Sequence, residues 1–299
     1  MKQQPVRRLR QEMMNSFTIN MTRLKKSIQI LLLLLLLAWS AQACLPGKRL
    51  ARHAVGPADT ISVCLIDPVF LYMQNMKTWE IEGYDSIPEN QRDSVAFYNS
   101  LFLKKVDDSL FVNRYTQTIR KSLQALHVRL YTADSMDAFL ASGGQLYLFN
   151  IAQMSLEEYV EPVKKTWALD TSLYWEIWCN AVGFNVWYEA SVLNDTSRKM
   201  EVLFGNMYVR DNVKGRFFGD FAAGDISYYY NLDSISLQSV YNLAERAGQT
   251  HSEYIYDYIL NDQMKRKAKS GSPPAEYMHY DPIKKTYRKA GTHRFMVVK

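Results

Sequence analysis

Glu157, Glu158 and Glu161 are the first residues to weigh for chemistry, because paired carboxylates carry general acid–base work. Neighbours on a strand point to opposite faces, so Glu157 and Glu158 do not share a site there, and the pattern reads as a solvated strand end. Asp211 to Gly219 (Asp-Asn-Val-Lys-Gly-Arg-Phe-Phe-Gly) offers a ligand loop or a glycine-marked turn between strands, and the turn is the expectation. The histidines, at 53, 127, 251, 279 and 293, are scattered. None pairs with another histidine or a cysteine at ligand spacing, so no metal centre is expected. The chain has no Gly-x-Gly-x-x-Gly, no Walker-type loop, no Gly-x-Ser-x-Gly and no His-Glu-x-x-His. No catalytic residue and no cofactor is assigned on this pattern; a hydrolase with a site assembled from distant residues is the remaining enzymatic reading.

Aromatic residues are dense between Trp167 and Tyr188, with Tyr228-Tyr229-Tyr230 following. An alternating strand divides such rings between two faces. One set belongs to the core; the other offers an aromatic surface for a glycan, a peptidoglycan strand or a protein. Trp175, Trp178, Trp187 and Tyr188 are the candidates for that surface. Helices over both faces would make them all core.

The clearest single-residue chemistry sits at Cys44. A basic start from Met21 (Met-Thr-Arg-Leu-Lys-Lys) leads into an almost unbroken leucine run, Ile28 to Ala38, and a small-residue exit, Trp39 to Cys44. That is a secretory signal, too short for a comfortable span of about 20 residues. It resembles a bacterial lipoprotein signal, with Ala41 where leucine is favoured. The resemblance makes Cys44 the acylated first residue of the mature chain; the alternative is an ordinary thiol after an Ala41-Gln-Ala43 cleavage site. Several acyl chains, at about 0.8 kcal/mol per buried methylene, hold a protein stably on a membrane.

Removing residues 1–43 changes the electrostatics. The formal charge of +6 lies wholly in that segment, where Lys2, Arg7, Arg8, Arg10, Arg23, Lys25 and Lys26 face only Glu12. The mature chain is near neutral, and the composition argument for nucleic-acid binding disappears. Its charge is uneven: a basic stretch runs from Met264 to Lys299 with only Glu276 and Asp281 as counter-charges, leaving the body acidic. Residues 268–299 read as a solvated, partly disordered basic tail, with contact to anionic head groups as the alternative. Cys64 and Cys179 sit in apolar runs and are expected as buried free thiols, a disulfide being the alternative in an exported protein.

The elements that would position these groups follow from periodicity. Residues 44–58, with Pro46, Gly47, Gly56 and Pro57, read as a flexible tether. A first strand is expected over 60–74, interrupted at Asp67-Pro68, where an edge position or a bend is expected. Helices are expected over 87–105, over 107–126 with an Asp107 or Asp108 cap, and over 134–142 closed by Gly143-Gly144. Strands are expected over 127–131, 145–160 and 173–193, the last as one long strand or as two joined by a bulge at Gly183. A turn at Asn194-Asp-Thr-Ser returns the chain along 199–210, and a further strand covers 221–231. Residues 236–267 read as a helix broken near Gly248. The order is an α+β (mixed α/β) pattern: one domain over 59–267, a mixed sheet with a long β-hairpin, and helices packed mainly on one face.

Asp-Ser/Thr-aliphatic triplets recur at Asp59, Asp85, Asp93, Asp108, Asp134 and Asp233. They resemble the acceptor motif of a periplasmic O-glycosylation system, and they equally suit helix caps and turns. The strand ending in Asp67-Pro68, the helix through Tyr115 and Ile119, the strand at Leu146 to Ile151 and the long hairpin resemble the domain shared by the amino-terminal part of TolB, CsgG and penicillin-binding-protein activator lipoproteins. The whole chain, including Tyr277-Met-His-Tyr-Asp-Pro282 and His293-Arg-Phe295, is similar to lipoproteins of Bacteroidales-type bacteria. These resemblances imply a non-enzymatic adaptor, lipid-anchored in the cell envelope at the outer membrane facing the periplasm. They imply a protein partner or self-association and supply no catalytic residues.

Overall fold

A seven-stranded mixed sheet organises the chain. The computed structural model describes residues 46–54, 61–126, 128–168, 170, 172–195, 197–220, 225–268, 276–291 and 294–298. The signal segment and Cys44 lie outside them. In chain order the elements are α1 (Pro46–Ala54), β1 (Ile61–Ile66), β2 (Tyr72–Asn75), α2 (Glu89–Tyr98), α3 (Asp108–Ala125), β3 (Arg129–Tyr131), α4 (Met136–Ala141), β4 (Gln145–Thr166), β5 (Tyr174–Val192), β6 (Glu201–Arg210), β7 (Asn212–Asp220), β8 (Asp225–Asp233), α5 (Leu237–Lys267), β9 (Met278–Asp281), β10 (Thr286–Lys289) and β11 (Met296–Val298). Strand order in the main sheet is β11-β6-β5-β4-β1-β3, and β2 extends the β1 edge of β4. β1 pairs parallel with β3 and β4, β2 parallel with β4, and β4, β5 and β6 form an antiparallel meander. The fold is α+β, as expected.

The long hairpin is kept in phase by a bulge. Register between β4 and β5 shifts between Ile151 and Gln153, leaving Ala152 as the extra residue. Before it, Tyr147, Phe149 and Ile151 face the core; after it, Met154, Leu156 and Glu158 do. The even residues of β5, from Val182 to Val192, face that same core throughout. Of the two readings of 173–193 the single long strand holds: Gly183 is regular strand, and the irregularity belongs to the partner strand.

Helices α3 and α5 cover this face. α3 starts at the Asp107 cap, whose carboxylate accepts from Leu110 N. It buries Phe111, Tyr115, Ile119 and Leu123, the spacing of one helical face. α5 runs unbroken through Gly248, where a break was expected. A Cβ there would lie 2.7 Å from Tyr115 O, so the glycine serves the close crossing of α3 and α5. On the opposite face α4 packs Phe139 against Cys64 and Leu146. Among the described residues, no helix packs on the rest of that face near β5 and β6.

Three segments differ from their sequence reading. Residues 46–54 form a helix where a tether was expected, because Leu50, Ala51 and Ala54 make a stripe that packs on Leu260, Met264 and Met278. Residues 212–220 form strand β7 where a turn was expected, and β7 pairs with β8 as a ribbon. That ribbon lies on the outer half of the hairpin, burying Val213 and Tyr228 against Val163, Ile177 and Cys179. The carboxy-terminal end is structured over 276–291 and 294–298, where a partly disordered tail was expected. β9 and β10 pair as a hairpin, and β11 adds to β6. α5 holds β9 through two buried residues one turn apart. Asn261 bonds both Met278 N and Met278 O, and Asp257 accepts from Tyr280 N and pairs with His279 Nδ1 at 2.6 Å.

Candidate functional site

The bulge at Ala152 decides what the face opposite α3 and α5 presents. It turns Gln153, Ser155 and Glu157 onto that face beside Trp187 of β5. Strand β2 supplies Tyr72, Met73, Gln74 and Asn75 along the neighbouring edge, and α2 adds Asp93 and Ala96. These residues, with Met76, Thr78 and Tyr84, enclose a cleft of about 380 Å³. Its floor is a hydrogen-bonded row: Asn185 Nδ2 donates to Ser155 Oγ at 3.3 Å, which donates to Glu157 Oε1 at 3.3 Å. The Trp187 ring packs at 4.9 Å on Phe204 from β6.

The rim of the cleft is apolar. Phe70 meets Tyr72 edge-on at 4.5 Å. Tyr72 and Met76 line the cleft and are half-exposed, and Val69, Phe70 and Trp79, their near neighbours in sequence, are exposed as well. Exposed apolar side chains gathered in one stretch, rather than scattered singly, suit a contact surface.

A buried ion pair fixes the wall that carries this rim. Glu158, on the core side of β4, accepts from the backbone N–H groups of Leu101, Phe102 and Leu103 at 2.7, 2.8 and 3.3 Å. Lys77 Nζ closes on it at 2.7 Å and reaches Asn180 Oδ1 at 3.3 Å. Both side chains are almost wholly buried. Met76 N donates to Glu158 O, so the same residue ties the end of β2 to the sheet. The expectation of a solvated strand end fails at Glu158. The unread bulge moves this residue to the inner face, where three amides and an ammonium replace water.

Asp211 also has a structural post. It is buried; Oδ2 accepts from Asn180 N at 2.8 Å and Oδ1 from Ile235 N at 2.8 Å. It therefore clamps both the entry and the exit of the β7–β8 ribbon. The ribbon's outer surface carries Lys214, Arg216, Phe218, Tyr229 and Tyr230 around an open groove of about 660 Å³. The guanidinium of Arg216 lies 4.3 Å from the centre of the Phe218 ring.

The aromatic candidates do not form one surface. Trp187 enters the cleft. Trp175 and Trp178, 47% and 62% exposed, stand on opposite faces of the distal half of β5. Trp175 and Trp187 share a side but are about 40 Å apart along the strand. Tyr188 is fully buried, because the even positions of β5 face α3 and α5. Its hydroxyl joins Tyr115 and His251 in a core triad, with Tyr115 Oη 2.7 Å from His251 Nδ1. Burial drives His251 down to about 3, so the imidazole stays neutral. Cys64 and Cys179 are free and buried in separate clusters, and burial raises both thiols above their ordinary value. Cys44 lies outside the described residues.

The titratable side chains lining the cleft are Asp93, Glu157, Tyr72 and Tyr84, with no histidine, cysteine or lysine among the described lining residues. Among the described residues no group of three His, Cys, Asp or Glu side chains stands close enough to hold a metal ion. No helix among them is long and apolar enough to cross a membrane. The sequence reading gives no site role to Tyr72, Met76, Lys77 or Trp79, and it names Asp93 only in a glycosylation-like triplet. The usable signal is the run Val69-Phe-Leu-Tyr-Met, apolar residues that resume the strand just after Asp67-Pro68.

No protein-family model matches the chain, and no curated protein matches it in sequence. Among solved structures, a homologue of a neuraminyllactose-binding hemagglutinin from Helicobacter pylori aligns over 71% of this chain and 91% of its own, at 12% identity and a TM-score of 0.32. A likeness at that level carries neither the fold nor a function to this chain.

Proposed function

We propose that this chain is a membrane-anchored cell-envelope lipoprotein, outer-membrane bound and facing the periplasm, that acts by binding a protein partner and not by catalysis. The observation that carries the reading is the run of exposed apolar residues Val69, Phe70, Tyr72, Met76 and Trp79, of which Tyr72 and Met76 line a cleft. Such a run loses water on contact with another protein, and Tyr and Trp are favoured at such contacts. The resemblance of the element order to the TolB-type envelope domain supports the same reading. Cys44 as the acylated first residue supplies the anchor.

The test is crosslinking and pull-down from envelopes with wild type and with Phe70→Ser/Trp79→Ser. A protein recovered with wild type and lost with the double variant supports the reading; a second copy of the chain recovered the same way makes the partner itself. Recovery of monomer alone, under conditions that capture known envelope complexes, overturns it. Mass spectrometry of the mature amino terminus tests the anchor, and an unmodified Cys44 would make the protein periplasmic without one.

A second reading, glycan or peptidoglycan binding, is favoured by the ribbon groove, where Phe218, Tyr229 and Tyr230 stand open beside Lys214 and Arg216. Aromatic faces stack on sugar rings, and the cations suit acidic glycan groups. Retention of wild type but not Tyr229→Ala/Tyr230→Ala on peptidoglycan sacculi would select this reading.

A further inference from the structure

Helix α1 and the β9–β10 hairpin form an outer layer on α5, on the side away from the sheet. They meet through Ala51, Ala54 and Met278, with Tyr280 and Tyr287 packed alongside. A Cβ on Gly47 would lie 3.6 Å from Met278 Sδ, and Arg52 is close enough to Tyr287 to offset part of the rise that burial gives its hydroxyl. The layer is thus one continuous surface, pinned to α5 by Asp257 and Asn261.

Its exposed charge has one dominant sign. Lys48 and Arg52 stand one helical turn apart on α1, and Lys284, Lys285, Arg288 and Lys289 are exposed on the hairpin. The opposing acids are few. Glu276 pairs with Lys289 at 2.9 Å, Asp281 is nearly buried and accepts from Lys284 N, and Glu253 of α5 faces His279 and Arg288. At the hairpin tip, Ile283 is 89% exposed, directly before Lys284 and Lys285. An aliphatic side chain held out of a turn and collared by lysines is unfavourable in water. It suits the boundary between head groups and acyl chains.

The covalent position of the anchor adds a constraint. Cys44 precedes the first residue of α1 by two positions, a reach of about 7 Å. Because α1 is a packed helix, an acyl group at Cys44 would bring this layer, not a distant end of the molecule, against the membrane.

We propose that the layer of α1 and β9–β10 is a lipid-docking surface for anionic membranes. Ile283 enters the head-group region while Lys48, Arg52, Lys284, Lys285 and Arg288 lie over anionic phosphates. The surface rests on the envelope reading for the presence of a membrane, and its test is independent of both partner and acylation.

The test uses the mature chain carrying Cys44→Ser, so that no acyl chain contributes, in co-sedimentation with two vesicle types. One is phosphatidylethanolamine containing phosphatidylglycerol; the other is phosphatidylcholine alone. Sedimentation with the anionic vesicles only, reversed by salt, is expected. One lysine near such a surface is worth about fivefold in binding, so Lys284→Ala/Lys285→Ala should weaken it about 30-fold. Ile283→Asp should weaken it further, and all three side chains are exposed, leaving the thermal midpoint unchanged. Equal binding to both vesicle types, absence of binding, or unchanged binding of the lysine variant would overturn the proposal. Failure of the pull-down would leave this result standing, and failure here would leave the protein-partner reading intact.

Discussion

Lys77 Nζ lies 2.7 Å from Glu158 Oε1, with the two side chains 5% and 0% exposed. The pair joins the end of β2 to the inner face of the hairpin, directly behind the cleft. The carboxylate has a second set of partners, the amides of Leu101 to Leu103, whereas the ammonium has Asn180 Oδ1 at 3.3 Å and the half-exposed Glu80 at 3.8 Å. Loss of each partner therefore has a different cost. Glu158→Ala orphans three N–H groups and removes the nearest counter-charge of a buried ammonium, and should destabilise the fold by about 3–5 kcal/mol. Lys77→Met leaves the carboxylate hydrogen-bonded and should cost less. Urea unfolding of the two variants checks the order, and a Lys77→Met loss larger than that of Glu158→Ala would refute this division.

The Tyr115–Tyr188–His251 triad gives the fold an acid sensitivity of known sign. His251 titrates near 3 when folded and near 6.5 when unfolded. Above 6.5 neither state holds the proton. Below it the unfolded chain takes up a proton that the folded chain refuses, so stability falls as pH drops, by up to about 1.4 kcal/mol per unit. Asp257 works in the opposite direction. Burial raises it from 3.8 to about 6, so the folded state binds a proton first and gains stability as pH falls from about 6 to 3.8. Comparing wild type with His251→Gln cancels the Asp257 contribution. The advantage of wild type should shrink by about 2 kcal/mol between pH 6.5 and pH 5. A difference that is constant with pH would show that His251 is not held neutral.

The cleft predicts a separation between binding and stability. Trp187 is half-buried on the open face, and Tyr72 stands on the exposed rim. Tyr72→Ala should leave the unfolding midpoint nearly unchanged, since exposed substitutions fall within about 0.5 kcal/mol. Trp187→Ala removes the ring that packs on Phe204 and should cost more, about 1–2 kcal/mol. If the rim is the contact surface, Tyr72→Ala lowers partner capture despite its small stability effect. Equal capture by the Tyr72 variant and wild type would detach the cleft from function.

How far the sequence speaks depends on whether periodicity alone fixes an element. The α3 face and its Asp107 cap, the Gly143-Gly144 stop and the β5–β6 return are local patterns, and they were readable as such. The bulge at Ala152 is not local: only the pairing with β5 reveals that the buried positions change parity there. Missing it hides the inward turn of Glu158 and hence the purpose of Lys77. The same limit applies to α1. Its stripe of Leu50, Ala51 and Ala54 is short and weakly apolar, and proline and glycine flank it; its stability comes from Leu260, Met264 and Met278, far along the chain. Likewise Gly248 reads as a helix breaker until α3 is seen crossing it.

The last strand closes the core rather than trailing from it. Phe295 is 8% exposed and packs at 4.9 Å on Tyr188, 5.5 Å on His251 and 5.3 Å on Tyr254. Gly205, on the neighbouring strand β6, has no room for a side chain: a Cβ would stand 2.8 Å from His251 Nε2 and 2.9 Å from the Phe295 ring. Phe295 thus lids the triad, and the missing side chain at Gly205 is what lets it descend. Phe295→Ala should cost about 3–5 kcal/mol, the usual loss for a buried ring. Gly205→Ala should cost about 1–3 kcal/mol by overpacking the same spot. The two effects share one cavity, so they should not add: in the double variant the new methyl enters space the ring has vacated, and the combined loss should be smaller than the sum. A thermodynamic cycle over the four proteins measures this. Strict additivity would mean that β11 packs beside the triad without covering it.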